Sequence, residues 1–128
     1  MLKNGMRVRV YWNLHKNKYS VQDAKTNRVV AHVGAIALQD CKLTIRKSGQ
    51  ERARREGRKN VHAFVTGMFY TDERYKNAWW VDGARQISYN PYKNDTFVFK
   101  DTGEPVTEAH VISVFTKDGR PAVYARIT

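Results

Sequence analysis

The densest group of side chains able to do chemistry is a basic segment of fifteen residues, Arg46 to Asn60. Seven of its residues are basic and two are acidic; the basic ones are Arg46, Lys47, Arg52, Arg54, Arg55, Arg58 and Lys59. Guanidinium groups bind phosphate oxygens with two parallel hydrogen bonds, and basic clusters are typical of nucleic-acid-binding surfaces. The basic segment therefore predicts a phosphate-binding site. The alternative interpretation is a solvated charged face.

The basic segment also carries the signals of one short helix. Ser48 and Glu51 have the spacing of a capping box, in which each side chain accepts a hydrogen bond from the other residue's backbone N–H. Gly57 supplies the left-handed residue that commonly follows a helix. Because Ala53 is the only apolar residue in between, the helix has no stripe to bury and must be held by its neighbours. Three basic residues at spacings of three and four share one side of it or its exit: Arg52, Arg55 and Lys59.

A second candidate site is a stretch in which aromatic and basic residues are interleaved. Its rings are Tyr70, Tyr75, Trp79, Trp80, Tyr89 and Tyr92, and its cations are Arg74, Lys76, Arg85 and Lys93. Unpaired bases stack on exposed rings beside a basic groove. Since adjacent strand residues face opposite sides, we expect one of Trp79 and Trp80 in the core and the other exposed. The alternative is that all these rings fill the core.

The four histidines show no metal-binding motif. They are separated by 17, 30 and 48 residues: His15, His32, His62 and His110. None forms an i, i+4 pair, so we predict neither a metal nor another cofactor. A metal-independent ribonuclease needs only a histidine or two, a lysine and an arginine that binds phosphate, and its candidates here are His62 and His32. No motif supports that chemistry, so we predict a protein that is not an enzyme.

Cys41 is the single cysteine, which excludes an intramolecular disulfide and a thiolate zinc site. It alternates with Leu43 and Ile45, a pattern that predicts a buried and unreactive thiol on a strand. The N-terminal residues lack the apolar core of a signal peptide, so we expect a cytoplasmic protein.

Net charge indicates the class of partner. The chain of 128 residues has a formal charge of +11, with an isoelectric point near 10.0. Residues 1–100 carry a net charge of +12 and residues 101–128 a net charge of −1, so the C-terminal part is expected to be scaffold. Nucleic acid is the first partner to consider, ahead of an acidic protein surface. A membrane partner is disfavoured, because no amphipathic helix, lipidation motif or long apolar run is present.

Alternating patterns on both sides of the basic segment predict strands. In the first strand Val8, Val10 and Trp12 face one way, whereas Arg7, Arg9 and Tyr11 face the other, which extends the basic surface. The predicted strands are 7–12, 18–23, 28–33, 35–45 (bent, or two short strands), 61–69, 96–99, 110–116 and 122–127. The first of these are expected to form a meander. The predicted fold is mainly β (α+β), a single domain of residues 1–128: a twisted antiparallel sheet or partly open barrel of eight or nine short strands, with one short basic helix.

Four stretches together carry a resemblance. They are Tyr-Ser-Val-Gln-Asp at 19–23, Gly-Arg-Lys-Asn-Val-His-Ala-Phe at 57–64, Tyr-Asn-Pro-Tyr-Lys at 89–93 and Thr-Gly-Glu-Pro-Val at 102–106. The chain resembles a group of small proteins of tailed bacteriophages and prophages with no assigned activity. The resemblance implies a protein that modulates host machinery or host defence systems. Anti-CRISPR proteins are one class of such phage proteins. It brings no catalytic residues with it.

The residues and the resemblance together predict a non-enzymatic phage protein that binds the phosphate groups of DNA, RNA or a host ribonucleoprotein. The predicted contacts are those of the basic segment, extended by Arg7, Arg9 and an exposed Trp79 or Trp80. One alternative is an inhibitor of a host defence complex, of the anti-CRISPR type, that binds an acidic protein surface. The second is the small metal-independent ribonuclease.

Overall fold

The computed structural model describes residues 2–13, 15–47, 61–69, 84–88, 97–117 and 120–127. Those residues form ten strands and no helix: β1 (Arg7–Asn13), β2 (Lys18–Asp23), β3 (Val29–Val33), β4 (Ala35–Lys47), β5 (Val61–Phe69), β6 (Arg85–Ser88), β7 (Phe97–Phe99), β8 (Pro105–Val106), β9 (Glu108–Lys117) and β10 (Arg120–Arg126). The predicted helix after Ser48 and the Trp79–Trp80 pair lie outside the described residues. Within the described part of the chain, no helix is long and apolar enough to cross a membrane.

All ten strands join one antiparallel sheet in the order β3-β2-β1-β5-β4-β9-β10-β6-β7-β8. The predicted β-rich, antiparallel architecture is confirmed. The sheet does not close on itself through hydrogen bonds, because β3 and β8 are its edges among the described strands.

Each edge strand runs almost directly into a central strand. Only Gly34 separates β3 from β4, and only Thr107 separates β8 from β9. The sheet therefore has two halves of five strands, each curled until its edge strand meets its central strand end to end. We call β3-β2-β1-β5-β4 the first half and β9-β10-β6-β7-β8 the second half; the β4–β9 pairing joins them.

The predicted meander holds for β1, β2 and β3 but is wrong for the strand that follows. β4 does not pair with β3; it pairs with β5 on one side and β9 on the other. Burial explains this position, since Ile36 and Leu38 of β4 are covered on reaching the middle of the sheet. The prediction of one bent strand is correct, and β4 extends two residues further than predicted, through Arg46 and Lys47.

One core fills the space between the halves. Val8, Val10 and Val21 of the first half and Ile112 and Val114 of the second half belong to the same buried cluster. The predicted alternation of β1 is confirmed, because Val8 and Val10 are buried while Arg7 is exposed. The buried Tyr19 hydroxyl donates to the Ala122 carbonyl oxygen, 3.4 Å away, and so links β2 to β10.

β4 bends at a bulge between Gln39 and Lys42, where Asp40 adopts a left-handed backbone conformation with φ of 50°. Gly67 of β5 packs against this bulge. A Cβ atom at Gly67 would lie 2.9 Å from both the Cys41 sulfur and the Gln39 carbonyl oxygen. The two central strands approach this closely only because position 67 has no side chain.

Candidate nucleic-acid interface

The basic segment is attached to the sheet at the ends of two paired central strands. Lys47 at the end of β4 lies opposite Val61 at the start of β5, and Arg46 lies opposite His62. The described residues that flank positions 48–60 are therefore cross-strand neighbours in the sheet. The five remaining predicted contacts of the segment lie outside the described residues: Arg52, Arg54, Arg55, Arg58 and Lys59.

The outer face of the first half carries a row of side chains that crosses its strands, which we call the aromatic row. Its members are His32 on β3, Ser20 on β2, Tyr11 on β1, Phe64 on β5 and Thr44 on β4. The rings of Tyr11 and Phe64 lie edge to face, with centroids 5.8 Å apart and an interplanar angle of 71°. Both rings are half-buried, because the core side of β1 and β5 is filled by other residues, Val10 and Val65 among them.

Cationic residues flank the aromatic row. On one side Arg9 of β1 lies opposite Thr66 of β5, which lies opposite Lys42 of β4. On the other side Lys18 of β2 lies opposite Asn13. Each flank is two residues from the aromatic row along its strand, which corresponds to about 7 Å.

Arg9 keeps its guanidinium beside neutral groups. Its guanidinium carbon lies 5.6 Å from the centroid of the Phe64 ring, within the range of a cation–π interaction. Its Nη1 donates to the Asn27 side-chain oxygen at 3.3 Å. Asn27 can serve there because it turns the chain in the left-handed conformation, with φ of 61°. The positive charge of Arg9 is therefore not cancelled by these two contacts.

None of the described outward-facing residues of β1, β2 and β5 is an aspartate or a glutamate. These residues are Arg7, Arg9, Tyr11, Asn13, Lys18, Ser20, Gln22, Phe64, Thr66 and Met68. Carboxylates are found at one border of the surface. Asp40 and Glu108 line a depression there together with Arg7 and Lys42. Arg7, a predicted contact, thus lies at the mixed-charge border, whereas Arg9 lies within the face.

A hydrogen-bonded chain occupies one end of the aromatic row. The Ser20 hydroxyl accepts from Asn13 Nδ2 at 3.1 Å and lies 3.0 Å from His32 Nδ1. Ser20 is fully buried, so its oxygen cannot reach a substrate as a nucleophile. The serine–histidine contact therefore orders the face and does not constitute a hydrolase site. Among the described residues no group of three potential metal ligands occurs.

Arg85, in the described part of the interleaved aromatic stretch, is paired with a carboxylate, unlike Arg9. Arg85 makes two hydrogen bonds with the Asp101 carboxylate, at 2.8 and 3.2 Å, and its guanidinium lies 3.8 Å from the centroid of the buried Phe99 ring. The Arg85 hydrogen bond lowers the pKa of Asp101 below its ordinary value. Arg85 thus covers a core ring and is paired, whereas Trp79 and Trp80 lie outside the described residues.

Sequence reasoning missed the Tyr11–Phe64 pair. The alternation predicts that Tyr11 faces outward with Arg9, but the predicted strand 61–69 assigned Phe64 to neither face. The available signal was the alternation of Phe64 with the apolar Val65, which has to face the core. What the sequence lacks is the antiparallel β1–β5 register that brings the two rings together.

Comparison with known proteins supports the phage resemblance. Residues 1–122 match the family described as Mycobacterium phage L5 gene 82 protein. The chain is 34% identical over 116 residues to the Gene 82 protein of Mycobacterium phage L5, an alignment that covers 82% of this chain and 86% of that protein. That name specifies a gene and a phage and states no activity. No solved structure matches the chain. The predicted resemblance to small phage proteins is therefore confirmed, and the chain belongs to the family of the mycobacteriophage L5 gene 82 protein.

Proposed function

We propose that this protein is a non-enzymatic accessory protein that binds nucleic acid by its phosphate backbone in the host cytoplasm. The observation that carries the proposal is the outer face of the first half. There Arg9 has only neutral contacts among the described residues, and β1, β2 and β5 present no carboxylate at their described outward positions.

Charge supports a polyanionic partner. A formal charge of +11 repels itself in the free protein, and binding an anion relieves that repulsion. A protein that neutralises phosphates also releases the counterions condensed on the nucleic acid, which favours association and makes it depend on salt. Contacts of this kind position a strand and carry little sequence information.

Attachment of the basic segment supports a continuous surface. The segment begins on β4 and is followed in sequence by β5, and β5 pairs directly with β1, which carries Arg7 and Arg9. Arg46 and Lys47 are themselves strand residues of β4. The seven basic residues of the segment and the two arginines of β1 therefore belong to neighbouring strands or to the connection between them. Binding would act by occupancy, covering a strand or blocking the channel of a complex that carries it.

Fluorescence anisotropy with labelled single- and double-stranded DNA and RNA, at low and near-physiological salt, tests the proposal. The informative variant replaces Arg52, Arg54 and Arg55 with alanine. Its matched control replaces Lys25, Arg28 and Lys100, three exposed residues at turns, and removes the same charge. We expect affinity to fall log-linearly with salt, and the first variant to lower the slope by about 2 to 3 while the control lowers it far less.

Absence of binding at low salt would overturn the proposal. A protein partner with an acidic surface would then be the remaining use for the charge, and capture of a host complex would be the next experiment. Equal effects of the two triple variants would mean that net charge binds the polyanion and that the basic segment is not its site.

A further inference from the structure

We propose that the aromatic row is a base-stacking platform, so that the ligand of this protein is single-stranded nucleic acid rather than duplex. This inference rests on the proposed nucleic-acid binding and specifies its substrate class. The residues that carry it are Tyr11, Arg9 and Lys18, all of them described and all at least partly exposed.

The Tyr11 ring lies on the outer face of β1 and is half-buried. Tyr11 lies in the middle of β1, which pairs with β2 on one side and β5 on the other, so its ring stands near the centre of the face. The core does not need this ring, because Val8 and Val10 fill the inner side of β1. An aromatic side chain held by an edge-to-face neighbour on an outer sheet face is the arrangement on which unpaired bases stack.

Cationic residues lie on both sides of Tyr11 on this face. Arg9 follows the same face of β1 two residues before Tyr11, and Lys18 lies opposite the position two residues after it. Each cation lies two residues from the aromatic row along its own strand, a backbone spacing of about 7 Å, so cations flank the row on both sides. A strand whose base lies on Tyr11 can bring its neighbouring phosphates to these cations.

A stacking ring distinguishes single strands from duplex. In a duplex each base is paired and stacked inside the helix, so only phosphates and groove edges reach a flat protein surface. Flanking cations would bind both forms, but the rings would add affinity only for unpaired bases. The absence of carboxylates from the described outward positions of β1, β2 and β5 suits a ligand that carries negative charge along its whole length.

The test compares three probes of equal length: an oligothymidylate, an abasic strand with the same phosphates, and a duplex. We expect the wild-type protein to bind the oligothymidylate roughly five- to a hundredfold more tightly than the abasic strand. Tyr11→Leu should remove most of that difference and leave abasic binding unchanged, while Tyr11→Phe should retain it. Tyr124→Leu, a half-buried tyrosine of β10 in the second half, is the matched control and should change neither.

The possible failures can be separated. If the abasic strand and the duplex bind as tightly as the oligothymidylate, phosphate binding stands and the stacking inference is overturned. If no probe binds at low salt, both proposals are overturned. The wild-type comparison of probes needs no variant, so the inference remains testable even if Tyr11→Leu does not fold. An oligodeoxyuridylate and an oligouridylate in parallel show whether the 2′-hydroxyl matters, because these two strands differ only in that group.

Discussion

Two of the described arginines lie over phenylalanine rings, one in each half of the sheet. Arg9 of the first half contacts the Phe64 ring at 5.6 Å and donates to a neutral amide oxygen of Asn27. Arg85 of the second half contacts the Phe99 ring at 3.8 Å and is paired with the Asp101 carboxylate at 2.8 Å. Both arginines therefore contact a ring, but only Arg85 is paired with a carboxylate among the described residues.

That difference separates an arginine used by the fold from one available to a ligand. The Arg85 guanidinium holds the β7–β8 turn against β6, since it also donates to Thr102 at 3.3 Å. A phosphate would have to displace a carboxylate to bind there, at a cost in free energy that a neutral amide does not impose. Arrangement in the sheet, and not residue type, therefore decides which arginine can bind phosphate.

The two halves share one core, and Cys41 lies at their junction. Cys41 is buried on β4, opposite Ala109 of β9, and burial raises the pKa of its thiol to about 12. Since an unburied thiol has a pKa of 9.0, the thiolate fraction at about pH 8 falls roughly a thousandfold. We expect alkylation of the native protein to be slower than that of the urea-unfolded protein by at least this factor, measured by mass spectrometry.

Labelling kinetics across increasing urea show how the junction opens. If the halves are one cooperative unit, the labelling rate should follow global unfolding measured by circular dichroism. Rapid labelling well below the unfolding transition would mean that β4 separates from β9 independently, which contradicts a single shared core.

Gly67 and Gly34 provide a matched pair of substitutions for the first half. A Cβ atom at Gly67 would meet backbone and side-chain atoms at 2.9–3.0 Å, whereas at Gly34 its nearest neighbour would be Thr116 Oγ1 at 3.7 Å. We expect Gly67→Ala to lower the free energy of unfolding by about 3 kcal/mol, because β5 would have to move away from the β4 bulge. Gly34→Ala should change it by less than about 1 kcal/mol. Urea denaturation measures both, and a similar loss in the two variants would refute the close β4–β5 approach.

Asn27→Asp converts the environment of Arg9 into that of Arg85. Aspartate tolerates the left-handed conformation that Asn27 adopts, so the fold should be retained. The new carboxylate would pair with Arg9, and we expect nucleic-acid affinity to fall about five- to tenfold at low salt, with the salt slope reduced by about 1. Anisotropy titrations at several salt concentrations measure both quantities.

Gln86→Glu is the control for that change. Gln86 is a neutral, partly exposed residue of β6 in the second half, whereas Arg9 and Lys18 lie in the first half. The substitution adds the same charge. An equal loss of affinity in both variants would show that only net charge matters and that Arg9 has no special role.

Local patterns predicted most of the described strands, because apolar and polar residues alternate along the sequence of a half-buried strand. The faces of β1 and the burial of Cys41 followed from this. The predicted position of β4 in the sheet was wrong, because pairing with strands distant in sequence determines it. Nothing near Gly34 indicates that β4 crosses to the far side of β5, since that position depends on partners up to 82 residues away, such as Thr116, whose backbone N–H donates to the Gly34 carbonyl.

Parts of the candidate site were predictable for the same reason. Arg9 and Tyr11 were placed outward by their own strand, but their relation to Phe64 and Asn27 depends on two strand registers and one turn. Likewise, the interleaved aromatic stretch gave no sign that Arg85 pairs with Asp101, sixteen residues later. Composition identifies candidate cations, and the fold determines which of them are already paired.

The smallest effect is expected on the melting temperature, from loss of the Arg85–Asp101 ion pair. Asp101 has a pKa below its ordinary value of 3.8, chiefly through its hydrogen bond from Arg85. A carboxyl group whose pKa is lowered by folding stabilises the native state above its unfolded pKa, and this stabilisation is lost as the pH falls through the folded pKa. Asp101→Asn should therefore lower the melting temperature slightly at neutral pH, and the difference from wild type should close at pH values below 3.8. Lys100→Gln, at the neighbouring exposed position, should show no comparable pH-dependent difference. A difference between Asp101→Asn and wild type that persists at the lowest pH would mean that the pair contributes through packing on Phe99 and not through charge, which would weaken the contrast with Arg9.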